Sequence, residues 1–245
     1  MGAISRPGDP VATPCQPTTI TVWYHCSVSP VELLQAAYAP LLGLAERVDE
    51  QQGWTPTHLP GWTVRDLLFH LASDAQRALV ALGTPSDEPV DTDEVTYWSA
   101  WSPGTAGAQA GLRGTRVMSS VWTSVRGPAD LYLETARAVL VLAAEADPVT
   151  VVSTQERTLT VGSLLHTLAV EAAVHHLDLE PVLPDPPAKS VLAEVRRVLE
   201  GLLGQPVPVD WDDAHYARVG TGRLPLRPDE RAALGHLADR FPLFG

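Results

Sequence analysis

The sequence predicts an all-α protein in which a helical bundle is followed by a small, mainly helical C-terminal extension. The chain of 245 residues is 45% hydrophobic, which is enough to bury a sizeable core. Apolar residues recur at helical spacing in several segments, and turns rich in glycine and proline separate these segments. One short stretch, VTVVSTQERTLTV, favours a small β-hairpin instead.

Start and stop signals predict the first four helices. Ser29 opens a capping box with proline at the first helical position, and the turn-rich WTPTHLPGW ends this first helix. Thr63, with Asp66 three residues later, caps a second helix that runs to about Gly83. The third and fourth helices are predicted at about 107–125 and from Gly127-Pro128 to about Ala146.

Residues 84–106 show no period that persists long enough to indicate an element, and loops of this length are usually functional or mobile. After the hairpin, Thr160 is the predicted N-cap of a fifth helix, from about Val161 to Leu179, which the proline-rich EPVLPDPPAK closes. These signals divide the chain into a flexible leader (1–28), a helical bundle (29–180), a linker (181–189) and the helical extension (190–245).

Charge and hydropathy exclude several classes of function. The formal net charge is -12 and there is no basic run, which argues against nucleic acid and anionic membrane as partners. No apolar run approaches the roughly 20 residues that cross a bilayer, and the N-terminal residues lack the blocks of a signal peptide. The expected location is the cytoplasm, where free thiols at Cys15 and Cys26 are favoured and a disulfide between them is the alternative.

A carboxylate and a histidine share an apolar face of the fifth helix. In VEAAVHHLDL, Glu171 and His175 are four residues apart, so both side chains can point at one atom. His70, in LLFHLASD, lies at the edge of the apolar stripe of the second helix. An unpartnered buried carboxylate is costly, and two histidines with one glutamate are a ligand set of catalytic zinc sites that keep one position open. The sequence therefore predicts a site for zinc or another divalent metal.

Polar and aromatic neighbours supply further candidates. Asp178, about one turn beyond His175, can accept the second imidazole N–H, although an exposed helix-end aspartate is equally compatible with the sequence. Asp74 can do the same for His70, whereas His176 points about 100° away around the helix and is expected to be structural. The candidates for binding substrate are the loop residues Trp98 and Trp101 and two arginines, Arg77 and Arg223, for which a surface role is the commoner alternative.

Two segments in this order resemble the mycothiol-dependent maleylpyruvate isomerase family of the DinB-like superfamily. They are LPGWTVRDLLFHLASDAQR and, a hundred residues on, VEAAVHHLDL. The resemblance covers about residues 30–180, and the tail GTGRLPLRPDERAALGHLADRFPLFG is similar to tails common in this family. It implies a DinB-like bundle in which His70, Glu171 and His175 bind the metal.

The resemblance also implies a mycothiol-dependent S-transferase or isomerase. The metal of such an enzyme binds the thiolate of mycothiol, the low-molecular-weight thiol of actinobacteria, and delivers it to an electrophilic small molecule. All but one of the 17 basic residues are arginine, which suits the GC-rich genomes of actinobacteria. Two other functions stay open: a metal-dependent hydrolase that uses bound hydroxide, and a helical module that binds a partner without catalysis.

Overall fold

The computed structural model describes residues 28–101 and 106–245, so the predicted leader with Cys15 and Cys26 lies almost wholly outside it. The described residues are mostly helical, which confirms the predicted all-α class. The helices are α1 (Pro30–Arg47), α2 (Glu50–Gly53), α3 (Val64–Gly83), α4 (Ala106–Ser119), α5 (Arg126–Glu145), α6 (Val161–Asp178), α7 (Lys189–Leu203), α8 (Asp213–Gly220) and α9 (Pro228–Leu234). The strands are β1 (Val151–Thr154) and β2 (Arg157–Thr160), and short 3-10 helices span Thr96–Ala100 and Gly235–Arg240. Among the described helices, none combines the length and the hydropathy that a membrane span requires.

Helices α1, α3, α5 and α6 pack around the main core. α3 lies along α5, and α1 contacts both α5 and α6. The apolar stripes face inward as predicted, since Leu34 and Leu41 of α1 and Leu67 and Leu68 of α3 are fully buried. α6 is buried on nearly all sides, because α7 and α8 cover the face that the bundle leaves open.

The predicted caps start the helices of the bundle. Ser29, Thr63 and Thr160 stand at the N-termini of α1, α3 and α6 and take part in side-chain hydrogen bonds there. The first helix is shorter than its spacing indicates, because α1 ends at Arg47 and a new capping box at Asp49 starts the separate helix α2. The third predicted helix is also shorter, since α4 stops well before residue 125.

The loop of residues 84–101 is anchored to the hairpin. Gln155 and Glu156 turn the chain between β1 and β2 with positive φ angles of 50° and 62°, as a tight two-residue turn requires. The backbone N–H of Asp91 donates to the carbonyl of Thr158 (3.0 Å), and the N–H of Thr158 donates to the carboxylate of Asp91 (3.0 Å). The sequence predicts no element in this loop, but one of the 3-10 helices forms within it. The loop is therefore held in place by bonds to a distant part of the chain.

The C-terminal extension is joined to the bundle by charged contacts as well as by apolar packing. Nδ1 of His166 on α6 lies 2.7 Å from a carboxylate oxygen of Glu194 on α7. Arg197 donates to the same carboxylate and also to Glu94 of the loop (3.0 Å). These contacts tie α6, α7 and the loop to one another.

We expect Gly127→Ala to lower the free energy of unfolding by about 1–3 kcal/mol, a typical cost of overpacking. Gly127 lies in the first turn of α5, and a β-carbon at this position would lie 1.7 Å from a ring carbon of Trp122. Trp122 packs on Phe69 of α3, with ring centroids 5.4 Å apart, so the ring has to leave its packed position. Denaturant unfolding measures the change. Gly83→Ala is the control, since a β-carbon there meets no atom within 4 Å, and an equal loss in both variants would contradict this explanation.

Candidate metal centre

Three predicted donor atoms from two helices meet between α3 and α6. Nε2 of His70 lies 3.1 Å from Oε1 of Glu171, and Nε2 of His175 lies 3.2 Å from the same oxygen. One donor atom from each of the three residues lies within 4.8 Å of the other two. The helical spacing read from the sequence therefore brings all three side chains to one point.

The histidine of α3 is held by aromatic packing. Its ring lies edge-on to the ring of His175, with centroids 4.7 Å apart, and edge-on to the indole of Trp62 at 5.3 Å. Trp62 is buried, and its indole N–H donates to the carbonyl of Leu112 on α4 (3.2 Å). Trp62 therefore packs at the start of α3 and supports His70 from the side.

The cluster is accessible from one side. The side chain of His175 is 6% exposed, whereas those of His70 and Glu171 are 21% and 27% exposed. Glu171 is thus half-buried, although the apolar stripe around it suggests full burial. Two cavities, of about 230 and 120 Å³, lie in the extension and beside the linker, and none of the three donors lines them. A small ligand would reach the cluster along the exposed edge of His70 and Glu171.

Burial and neighbouring charges set the protonation of the cluster. Burial lowers the pKa of His70 and so favours the neutral imidazole that metals bind. Burial opposes ionisation of Glu171, but hydrogen bonds from His175 and His70 outweigh it and hold the pKa of Glu171 well below its usual range. Burial likewise opposes protonation of His175, yet Asp178 and Glu171 raise its pKa above the ordinary value. An ionised carboxylate beside imidazole nitrogens is a donor set that fits a divalent cation of the zinc type.

Asp178 contacts the second nitrogen of His175. Nδ1 of His175 donates to Oδ2 of Asp178 (2.9 Å), and the aspartate side chain is fully buried. Arg223, between α8 and α9, donates to both oxygens of the same carboxylate, at 3.3 and 3.2 Å. Burial raises the pKa of Asp178, but Arg223 and His175 more than offset this and hold it below its usual value. The structure thus places Asp178 where it can orient His175, and it is not an exposed helix end.

Arg223 is thus not a surface residue, which is the commoner alternative in the sequence, and its role in binding substrate stays a prediction. Its side chain is only 10% exposed, and its guanidinium is engaged by Asp178 and by the carbonyl of Thr221 (3.0 Å). No local sequence pattern indicates this ion pair, because 45 positions separate the arginine from the aspartate.

Asp74 approaches His70 from an unexpected direction. Its Oδ2 lies 3.2 Å from Nε2 of His70, the nitrogen that also faces Glu171, so it does not hold the second imidazole nitrogen. The reason is geometric: Asp74 follows His70 by one turn on the same edge of α3, so the two side chains are direct neighbours along that edge. Arg77 contacts the other oxygen of Asp74 and is 43% exposed, so it stands at the accessible edge of the cluster.

The loop aromatics occupy different environments. Trp98 is buried and stacks on Phe244 of the C-terminal segment, with ring centroids 4.4 Å apart, whereas Trp101 is 45% exposed. No pattern in the sequence pairs Phe244 with Trp98, and the contact of Phe244 with the loop was missed for that reason.

His176 points away from the cluster, as expected of a structural residue. Its Nε2 donates to the carbonyl of Asp185 (2.8 Å).

Comparison with known proteins gave one result. A family model described as the mycothiol maleylpyruvate isomerase N-terminal domain matches residues 34–180, a span that contains all three donors. Neither the curated proteins nor the solved structures gave a significant match. The matched span ends before α7, so Arg223 and Phe244 lie outside it.

Proposed function

Because the chain belongs to the family of mycothiol maleylpyruvate isomerase N-terminal domains, we propose that it is a divalent-metal enzyme with mycothiol as its thiol cosubstrate. The observation that carries the proposal is the convergence of His70, Glu171 and His175 within 4.8 Å of one another inside the matched span. Zinc is the metal that this donor set favours, since two imidazoles and one carboxylate leave a position open for a ligand from solution.

Each residue of the cluster has a part in this proposal. His70 and His175 would hold the cation through Nε2, and Glu171 through Oε1. When bound there, zinc would act as a Lewis acid that lowers the pKa of the cosubstrate thiol. Asp178 keeps the proton of His175 on Nδ1, so that Nε2 offers its lone pair to the centre, and Arg223 keeps Asp178 ionised.

The thiol would come from solution rather than from the protein. Neither cysteine of the chain lies in the described residues, and the helices around the cluster contain none. Addition of the mycothiol sulfur to an electrophilic carbon forms a carbon–sulfur bond while another bond to that carbon breaks. In a conjugated alkene the π bond breaks and its electron pair moves to the conjugated carbonyl; in an epoxide the C–O bond breaks and the oxygen takes up the thiol proton; in an aryl halide the halide leaves and the thiol proton passes to solvent. The reaction is a transfer when the carbon–sulfur bond persists. It is an isomerisation when, in the alkene, the carbon–sulfur bond breaks again after rotation about the former double bond and the double bond forms anew. Both outcomes use the same cluster.

The test is to incubate the zinc-loaded protein with conjugated cis-alkenes, epoxides and aryl halides, each with and without mycothiol. We expect consumption of at least one electrophile only when zinc and mycothiol are both present. Apo protein and glutathione serve as the two controls. Turnover at an equal rate without any thiol would replace this proposal with a hydrolase, in which the cluster activates water instead.

We expect the double variant Cys15→Ser/Cys26→Ser to retain nearly all mycothiol-dependent turnover. The reason is that the nucleophile is supplied by mycothiol and that no cysteine occurs among the residues that the structure describes. The measurement is the initial rate at saturating mycothiol, with folding checked by circular dichroism. Loss of most of the rate in a folded double variant would show that the protein supplies the thiol itself.

A further inference from the structure

The C-terminal segment Phe241–Gly245 lies against the loop that carries Trp98. The backbone N–H of Leu243 donates to the carbonyl of Gly220 at the end of α8 (2.7 Å). The N–H of Gly245 donates to the carbonyl of Trp101 (3.3 Å). The segment therefore connects α8 to the end of the loop.

Phe244 supports the indole of Trp98 directly. The two rings are stacked, with centroids 4.4 Å apart and planes inclined by 28°, and both side chains are at least nine-tenths buried. Tyr97 also packs on Trp98, edge-on at 5.1 Å, and its hydroxyl donates to Gln155 of the hairpin turn (2.8 Å). The position of the indole is thus set from two directions, one of which is the C-terminal extension.

The indole N–H of Trp98 has no hydrogen-bond partner among the described residues, although it is buried. Burying an unpaired donor costs free energy, and native proteins pair nearly all such groups with protein, water or ligand. Trp62, equally buried in the same chain, follows that rule by donating to Leu112. The unpaired donor of Trp98 therefore calls for an acceptor that is not part of the described chain.

The chain neighbours of Phe244 and Trp98 lie close to residues of the metal cluster. A β-carbon on Gly245, the residue after Phe244, would lie 3.2 Å from Nη1 of Arg223, which in turn holds Asp178 beside His175. Tyr97, the residue before Trp98, is close enough to Glu171 for its carboxylate to help burial raise the pKa of Tyr97 to about 12. A cosubstrate whose sulfur lies at the cluster could thus reach the indole with a more distant part of the molecule.

We propose that Trp98 and Phe244 form a subsite for the thiol cosubstrate, in which the indole N–H donates to a neutral acceptor such as a hydroxyl or an amide carbonyl. Phe244 is a positioning residue, because it acts through the stacked indole. The inference rests on the proposed function and gives the C-terminal extension, which lies outside the matched span, a part in the choice of thiol.

The decisive variant is Trp98→Phe, which removes the N–H and keeps an aromatic ring against Phe244. Mycothiol binding to zinc-loaded protein is measured by calorimetry without electrophile, beside N-acetylcysteine, a thiol that lacks the sugar and inositol. We expect Trp98→Phe to weaken mycothiol binding about 3- to 10-fold, the loss of one hydrogen bond, and to leave N-acetylcysteine binding and zinc content unchanged. Trp54→Phe, which removes the N–H of an exposed indole that donates to Glu50, is the matched control and should change neither.

Phe244→Ala tests the positioning role against Phe241→Ala. Phe241 lies in the same segment but packs on Trp211 and Tyr216, away from the loop. We expect only Phe244→Ala to weaken mycothiol binding and to speed amide hydrogen exchange in residues 91–101. Equal effects of the two variants would overturn the positioning role.

The outcomes separate the subsite from the proposed function. Unchanged mycothiol binding in Trp98→Phe, or an equal loss for both thiols, would overturn the subsite. Failure of the unsubstituted protein to bind mycothiol would overturn it as well. Binding that is sensitive to Trp98 in a protein that turns over no electrophile would leave the subsite standing and refute the enzymatic proposal.

Discussion

Glu171→Gln should leave a folded protein that no longer retains a divalent cation and has lost nearly all thiol-dependent turnover. The carboxylate stands within 3.2 Å of both imidazole nitrogens and is the one anionic member of the donor set. A neutral amide of the same shape keeps the packing but is a poor ligand for zinc. Substitution of a group that only hydrogen-bonds to a metal ligand typically lowers metal affinity 10- to 100-fold, and we expect the loss of zinc affinity in Glu171→Gln to be larger.

Metal analysis after zinc reconstitution and dialysis measures this effect, with one zinc per chain expected for the unsubstituted protein. Glu46→Gln is the control, since this glutamate is 56% exposed on α1 and pairs with Arg137. A stoichiometry of one zinc per chain in Glu171→Gln, or of zero in the unsubstituted protein, would contradict the proposal that this cluster binds zinc.

The second large effect is expected for Asp178→Ala, which should lower the free energy of unfolding by about 3–5 kcal/mol. The substitution leaves the guanidinium of Arg223 without its carboxylate in a setting where that side chain is only 10% exposed. It also frees Nδ1 of His175, so zinc affinity should fall about 10- to 100-fold in the fraction that folds.

Denaturant unfolding of the metal-free protein measures the stability change, and chelator competition measures zinc affinity. Asp130→Ala removes a carboxylate of a surface pair with Arg126 and should cost less than about 1 kcal/mol, because it is 64% exposed. If Asp178→Ala is as stable as Asp130→Ala, the ion pair between Asp178 and Arg223 contributes little to the free energy of unfolding. A folded Asp178→Ala with unchanged zinc affinity would show that Asp178 does not orient His175.

The parts of the centre that the sequence predicts are those that depend on local spacing. Glu171 and His175 converge because they are one turn apart on a regular helix, and His70 lies on an apolar stripe that must pack against another helix. Asp178 is predictable for the same reason, since it follows His175 by three residues. In each case the period of the α-helix is sufficient to place the side chain on the correct face.

The parts that the sequence does not predict depend on contacts between distant positions. Arg223 and Phe244 reach Asp178 and Trp98 across 45 and more than 100 residues, and no local pattern indicates such pairs. The direction of Asp74 was missed for a different reason, because spacing places a side chain on a face without saying which imidazole nitrogen it meets. Apolar periodicity also fails to predict that α2 is a separate helix, because the capping box at Asp49 starts a new helix within one continuous apolar pattern.

The pair between Asp178 and Arg223 also bears on the order in which the protein matures. Synthesis proceeds from the N-terminus, so His70, Glu171 and His175 leave the ribosome before Arg223 does. A nascent chain that has completed only the bundle presents all three donors, but its aspartate has neither the counter-charge of Arg223 nor the helices that cover α6, so its second histidine is poorly oriented. On the proposed function, tight retention of metal is therefore expected only after α8 has docked, and a chain interrupted before that point would be left with a weaker, exchangeable centre.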